Sequence, residues 1–153
     1  MEDEILGKLY FAYGSNMLTC RLEERVGKVK FLGTGALRDY KLVFNKLSKD
    51  NSGKANIIES SGAAVSGVIF SLSEDQFKKL DKNEGNGYER RMTSVLFNEQ
   101  QIITSIYFAK SEFVKNNLKP TNDYLDLIIC GAKEHKLNAE YIEFLHSSKA
   151  HKY

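Results

Sequence analysis

Leu9-Tyr10-Phe11-Ala12-Tyr13-Gly14-Ser15-Asn16-Met17 sets the architecture of this chain: a hydrophobic segment stops at Gly-Ser-Asn, and a helix-like segment follows. A strand that ends at a glycine and continues into a helix leaves backbone N–H groups without partners at the helix start. These N–H groups and the positive end of the helix dipole favour an anion. The pattern therefore predicts that this loop holds a carboxylate or phosphate of a substrate.

Short strands dominate the first two thirds of the sequence, and helices dominate the last third. Hydrophobic patterns predict strands over residues 8–13, 30–37, 40–45, 55–59, 63–71, 88–97 and 101–109. Helices are predicted over residues 18–26, with Gly27 as the stop, and over residues 74–83, with Ser73 and Gln76 as a capping box at the start. Further helices are predicted after Pro120 and from Asn138. Many short strands at hairpin spacing indicate an α+β fold, a small twisted β-barrel, mostly antiparallel or mixed, with flanking α-helices. We expect one domain over residues 1–153, with a polar tail from about residue 146.

The composition is typical of a soluble globular protein. A net charge of +2 is too small for a nucleic-acid surface, and no apolar run approaches the ~20 residues of a membrane helix. The acidic start, Met1-Glu2-Asp3-Glu4, is unlike a signal peptide. Two distant cysteines, Cys20 and Cys130, fit a reduced chain, and we expect Cys130 to pack in the core. These features predict a cytoplasmic protein without membrane or nucleic-acid partners.

A second informative segment is Leu80-Asp81-Lys82-Asn83-Glu84-Gly85-Asn86-Gly87-Tyr88. Glu84 stands where a predicted helix ends, against a glycine-rich turn. The negative end of the helix dipole raises the pKa of a carboxylate there, and burial would raise it further. Such a shift suits a general base that works near neutral pH. A glutamate before a glycine is also a common solvated surface residue, so spacing alone leaves both interpretations open.

Together these segments resemble the gamma-glutamylcyclotransferase family. That family carries a Tyr-Gly-Ser-Asn loop after its first strand, here Tyr13-Gly14-Ser15-Asn16. It carries a catalytic glutamate in a Leu-Asp-x-x-Glu-Gly segment, here Leu80-Asp81-Lys82-Asn83-Glu84-Gly85. A C-terminal helix with a tyrosine and Gly-Ala-Lys-Glu corresponds to Tyr124 and Gly131-Ala132-Lys133-Glu134. The likeness covers about residues 10–145, nearly the whole chain.

The resemblance implies an intramolecular aminolysis in which a γ-glutamyl amide gives 5-oxoproline and a free amine or amino acid. It assigns the general acid/base role to Glu84 and implies neither a metal nor a cofactor. The N–H groups of Gly14, Ser15 and Asn16 would hold the α-carboxylate. Phenol side chains would wall the site; these are Tyr13, Tyr88, Tyr107 and Tyr124. Tyr107 is equally compatible with plain core packing.

Alternatives remain open at this point. The same chemistry could serve a specialised γ-glutamyl amine, such as an ε-lysine or a biosynthetic conjugate, because residues 84–88 form a shorter segment than in some relatives. A non-catalytic module that binds a small molecule is a third option. A Ser-His hydrolase is disfavoured, since Met17 replaces the second glycine of a nucleophile elbow. The sequence leaves open whether the chain forms a homodimer.

Overall fold

The computed structural model describes residues 8–149, and this part of the chain contains five strands and four helices. The strands are β1 (Leu9–Ala12), β2 (Lys30–Leu47), β3 (Gly53–Ser71), β4 (Tyr88–Phe97) and β5 (Gln100–Ala109). The helices are α1 (Thr19–Val26), α2 (Glu74–Glu84), α3 (Asn122–Glu134) and α4 (Ala139–Ser147). Single 3₁₀ turns lie at Ser15–Met17, Gly85–Gly87 and Ser111–Phe113. The acidic start and residues 150–153 of the predicted tail lie outside the described residues.

The five strands form a closed barrel in the order β1-β3-β2-β4-β5. Neighbouring strands are antiparallel except at the closing edge, where Tyr10 of β1 pairs in parallel with Ser105 of β5. The predicted mixed barrel with flanking helices is therefore confirmed. Closure removes exposed sheet edges, and it places Ala12, the end of β1, opposite Val68 of β3 on one side and next to the second half of β5 on the other.

Two long strands replace four predicted short ones. The expected segments 30–37 and 40–45 are one strand, β2, and the expected segments 55–59 and 63–71 are one strand, β3. The turn expected at Ser60-Ser61-Gly62 is instead an irregularity in the pairing of the two strands. Asp39, with φ of +65°, lies opposite these residues, and its Oδ1 accepts a bond from the N–H of Gly62 at 3.0 Å. The extra residues are absorbed as a bulge, so pairing continues on both sides.

A pair of facing glycines lets the barrel bend tightly. Gly35 of β2 is in register with Gly67 of β3. A Cβ at Gly35 would lie 2.9 Å from the carbonyl oxygen of Leu96, and one at Gly67 would lie 2.5 Å from that of Ala12. Neither position has space for a side chain because another backbone passes there. The glycines therefore permit close approach of neighbouring strands.

Helix ends agree well with their sequence signals. Ser73 and Gln76 form the predicted capping box of α2, and Asn138 caps α4 by accepting a bond from the N–H of Tyr141. Gly27, with φ of +88°, ends α1 as expected. Helix α4 continues to Ser147, so its last turn includes the first residues of the predicted polar tail. Local capping chemistry thus fixes where these elements start and stop.

Helix α3 packs against the first 3₁₀ turn. Gly131 makes this possible, because a Cβ there would lie 2.6 Å from the backbone nitrogen of Leu18. The prediction for Cys130 is wrong: this residue is exposed, as is Cys20. In α3 the buried side is formed by neighbours such as Ile129 and Ala132, and Cys130 points away from it. Across residues 8–149 every helix is too short or too polar to span a bilayer.

Candidate active site

The loop after β1 forms the floor of the site. The strand ends at Ala12, and the turn's first bond runs from the N–H of Met17 to the carbonyl of Gly14 at 3.1 Å. The N–H groups of Gly14, Ser15 and Asn16 therefore precede the first bond of the turn, as in the predicted carboxylate seat. The structure corrects one detail: a 3₁₀ turn intervenes, and α1 begins only at Thr19.

Glu84 is the last residue of α2 and reaches back toward this loop. Gly85, with φ of +74°, ends the helix behind it. Glu84 Oε1 accepts a hydrogen bond from Asn16 Nδ2 at 3.2 Å. Burial raises the pKa of Glu84, and this effect outweighs the opposing attraction of Arg25 and Lys46. Both the helix end and burial were expected to raise this pKa, and burial is the largest cause.

Asn16 connects Glu84 to the barrel wall. Its Nδ2 also donates to Tyr10 Oη at 3.1 Å, and the residue is only 4% exposed. Its Oδ1 is buried and accepts no hydrogen bond from any residue between 8 and 149. A buried amide oxygen without a donor is unfavourable in a folded protein unless something else supplies one. The orphaned oxygen therefore marks a position suited to a ligand N–H or ammonium group.

Tyrosines form the walls, and their hydroxyls are bonded mostly to the backbone. Tyr88 Oη donates to the carbonyl of Ala55 at 2.7 Å, while Tyr124 Oη accepts from the N–H of Ala55 at 3.1 Å. Tyr13 Oη donates to the carbonyl of Tyr107 at 2.6 Å. Burial raises the pKa of each of these phenols, that of Tyr124 to about 12. They are therefore neutral, fixed walls at physiological pH.

One cavity collects the whole set of predicted site residues, and we call it the inner cavity. It is lined by Tyr10, Tyr13, Gly14, Ser15, Asn16, Ala55, Glu84, Tyr88, Tyr107 and Tyr124. Only Ala55 lacked any signal in the sequence. It lies on β3 far along the chain, and its contribution is a backbone N–H and carbonyl, which no side-chain pattern reveals.

Asp81 supports the site from outside the inner cavity. Its Oδ1 accepts from Tyr107 Oη at 2.6 Å and from Arg90 Nε at 3.0 Å. Asp81 belongs to the segment that carries Glu84, but its role as the anchor of Tyr107 was not predicted. The bond fixes the phenol ring relative to α2. Between residues 8 and 149 no group of three or more His, Cys, Asp or Glu side chains is arranged to hold a metal ion.

The chain is similar to known proteins over most of its length. A model of the AIG2-like family matches residues 64–145. Gamma-glutamylcyclotransferases of Bos taurus and Homo sapiens are 33% and 32% identical to it, in alignments covering 95% of this chain and 80% of each relative. A solved structure of a gamma-glutamyl cyclotransferase superimposes with a TM-score of 0.86 at 32% identity, covering 95% of this chain and 90% of that one.

A more distant solved structure, YkqA from Bacillus subtilis, shares the fold. Its TM-score is 0.75 at 21% identity, and the match covers 92% of this chain and 53% of that chain. The identities above 30%, together with the AIG2-like match over more than half of the sequence, define the relationship. The chain therefore belongs to the gamma-glutamylcyclotransferase family.

Proposed function

We propose that this protein is a gamma-glutamylcyclotransferase that converts a γ-glutamyl amide into 5-oxoproline and a free amine or amino acid. The observation that carries the proposal is the position of Glu84. Its carboxyl, with a raised pKa, lies in the same cavity as the Tyr-Gly-Ser-Asn loop and contacts Asn16. An acid/base group is needed there, because the reaction moves protons between two nitrogens.

The reaction begins with the substrate's α-ammonium group. Glu84 takes a proton from it, and the freed amine attacks the substrate's own γ-carbonyl carbon. The new C–N bond closes a five-membered ring, and the bond to the leaving nitrogen breaks. Glu84 returns its proton to the leaving nitrogen as that bond breaks. The ring nitrogen gives up a second proton as it becomes an amide, and the departing amine takes it up and leaves as an ammonium ion. No oxidant, metal or cofactor enters this balance.

Binding roles follow from the donors and acceptors of the inner cavity. The N–H groups of Gly14, Ser15 and Asn16 would hold the α-carboxylate. Asn16 Oδ1 would accept a bond from the α-ammonium, which satisfies its buried oxygen. Holding the glutamyl chain folded for ring closure supplies an orientation effect, for which effective molarities reach about 10⁵ M or more. The fixed phenols, Tyr88 and Tyr124 among them, would restrict the chain to this conformation.

We also propose that the protein works in the cytoplasm on small γ-glutamyl compounds. Cys20 and Cys130 are both free and exposed, which suits a reducing compartment. A pure binding module is disfavoured, because binding alone does not require a carboxyl whose pKa is raised by burial.

The test is a 5-oxoproline assay with a panel of γ-glutamyl amides. We expect Glu84→Gln to lower turnover by about 10² or more, because it removes the proton acceptor. Glu59→Gln makes the same chemical change at an exposed position of β3 and should retain activity. Near-native turnover in Glu84→Gln would refute the assignment. Ligand binding without turnover in the native protein would support the binding module instead.

A further inference from the structure

A second cavity, which we call the outer cavity, opens beside the inner one. Its volume is about 190 Å³, against about 40 Å³ for the inner cavity. The two share Ser15, Glu84, Tyr88 and Tyr124. Since Glu84 borders both, a group attached to the nitrogen that Glu84 protonates would extend from the inner cavity into the outer one. The outer cavity is therefore suited to the leaving group.

Four cationic side chains from three elements line the outer cavity. Arg21 and Arg25 come from α1, Lys46 from β2 and Lys54 from β3, and all four are half-buried. Glu84 is the one carboxylate among the described residues of this lining. Such an arrangement is costly for the fold, because like charges repel across a partly desolvated space.

None of these four cations forms a close ion pair with a carboxylate of residues 8–149, although Asp50 acts on Lys54 and Glu24 on Arg21 from a longer distance. The ion pairs formed within residues 8–149 involve other basic residues. Lys54 Nζ lies 4.0 Å from the centre of the Tyr124 ring, and Lys46 Nζ lies 5.2 Å from that of Tyr88. Burial lowers the pKa of both lysines. Cations held over site tyrosines without a full counter-ion would gain from an anionic ligand.

We infer that Arg21, Arg25, Lys46 and Lys54 form a leaving-group subsite selective for γ-glutamyl amides whose leaving amino acid carries two anionic groups. This inference rests on the proposed function. The glutamyl part of the substrate is a zwitterion, so it adds no net charge, and within the lining Glu84 alone opposes the four positive charges. Two further carboxylates bring the cavity close to neutrality. A polyamine leaving group would instead meet like charge, which disfavours that specialised substrate.

Three substrates of nearly equal shape isolate the charge of the leaving group. In γ-glutamyl-glutamate, γ-glutamyl-glutamine and γ-glutamyl-glutaminamide it carries two, one and no carboxylates. We expect kcat/KM to fall about tenfold or more at each step, since a hydrogen bond to a charged group contributes about 1.5–3 kcal/mol and 1.4 kcal/mol is tenfold. The difference should shrink at high salt.

Matched variants test whether the preference for a dianionic leaving group depends on the charges of Lys46 and Lys54. In Lys46→Met/Lys54→Met we expect the glutamate-to-glutamine ratio of kcat/KM to fall below about threefold. Lys46→Arg/Lys54→Arg keeps both charges and should keep the ratio. Lys78→Met/Lys133→Met removes the same net charge from exposed positions on α2 and α3 and should also keep it. Ratios within one variant cancel changes in its folded fraction.

The outcomes separate this inference from the proposed function. Equal kcat/KM for all three substrates would overturn the subsite. An equal loss for all three in Lys46→Met/Lys54→Met would also overturn it, because the cations would then hold the shared glutamyl carboxylate. In both cases 5-oxoproline still forms, and the proposed function stands. Absence of 5-oxoproline from every γ-glutamyl amide would refute the proposed function itself.

Discussion

Glu84 destabilises the fold through the same burial that suits it to acid/base work. Between the ordinary pKa of a glutamate and the raised pKa of Glu84, the folded protein holds a proton that the unfolded chain has released. The contribution of Glu84 to the free energy of unfolding therefore falls as pH rises from the ordinary pKa of a glutamate to the raised one. The consequence belongs to one residue and is independent of any substrate.

We expect Glu84→Gln to raise the melting temperature at pH 7.5, because it removes the cost of burying an ionised carboxylate. Each kcal/mol gained in the free energy of unfolding corresponds to about 2–4 °C. The difference should disappear near pH 4, where the wild-type carboxyl is protonated. Thermal unfolding at both pH values measures this, with Glu59→Gln as the exposed control. A Glu84→Gln protein that is no more stable than wild type at pH 7.5 would contradict the argument.

Asn16 should tune the acidity of Glu84. Its Nδ2–H bond favours the ionised carboxylate and so lowers the pKa of Glu84. Asn16→Ala should therefore move the acid limb of the kcat/KM profile to higher pH, besides lowering kcat/KM. A full pH profile separates this role from packing alone: reduced activity with an unmoved limb would show that Asn16 only fills space.

At this scale the recognisable motifs of the sequence pointed to residues that the structure brings into one cavity. Glu84 and the Tyr-Gly-Ser-Asn loop stood out because few residue types fit those roles. Ala55 was missed because it acts through its backbone. Lys46 and Lys54 were missed because an isolated lysine in a strand usually faces solvent, and only the barrel brings these two beside α1.

At the scale of elements, the packing of α3 on the 3₁₀ turn keeps the loop in place. Replacing glycine by alanine inside a helix ordinarily stabilises it by about 1 kcal/mol. Gly131→Ala should do the opposite, since the new Cβ would meet backbone atoms of Met17 and Leu18 at 2.7 and 2.6 Å. Overpacking of this kind costs about 1–3 kcal/mol.

We expect Gly131→Ala to lower the melting temperature by at least about 2 °C and to raise KM, because the loop must move. Cys130→Ala, at the exposed neighbouring position, should change stability by less than about 0.5 kcal/mol. Thermal unfolding and steady-state kinetics test both variants. Equal behaviour of the two would show that the close contact at Gly131 is easily relaxed.

Local signals predicted the ends of elements better than their continuity. The capping box at Ser73 is complete within four residues, so no distant contact is needed to recognise it. Local signals did not predict that four short strands would be joined into the two long strands β2 and β3. Ser60-Ser61-Gly62 has the composition of a turn, but pairing with β2 continues on both sides of it, and Asp39 of β2 bonds to the N–H of Gly62.

For the whole molecule, the close approach of neighbouring strands at Gly35 and Gly67 is part of the closed barrel. We expect Gly67→Ala to destabilise the protein by about 1–3 kcal/mol, because its Cβ would meet the carbonyl oxygen of Ala12 at 2.5 Å. Ser66→Ala, one residue away and half-buried, is the control. Denaturant unfolding measures the free energy of unfolding of both variants. Equal values for Gly67→Ala and Ser66→Ala would show that the close contact at Gly67 does not limit stability.

The distribution of aromatic residues gives this protein an optical property. The chain has no tryptophan and eight tyrosines, and five of those tyrosines line the inner cavity. Under excitation of tyrosine its ultraviolet emission therefore carries no tryptophan contribution, and most of the emitting side chains border the site. A ligand entering the cavity would change that emission directly, so substrate and product affinities are measurable by intrinsic fluorescence without any label.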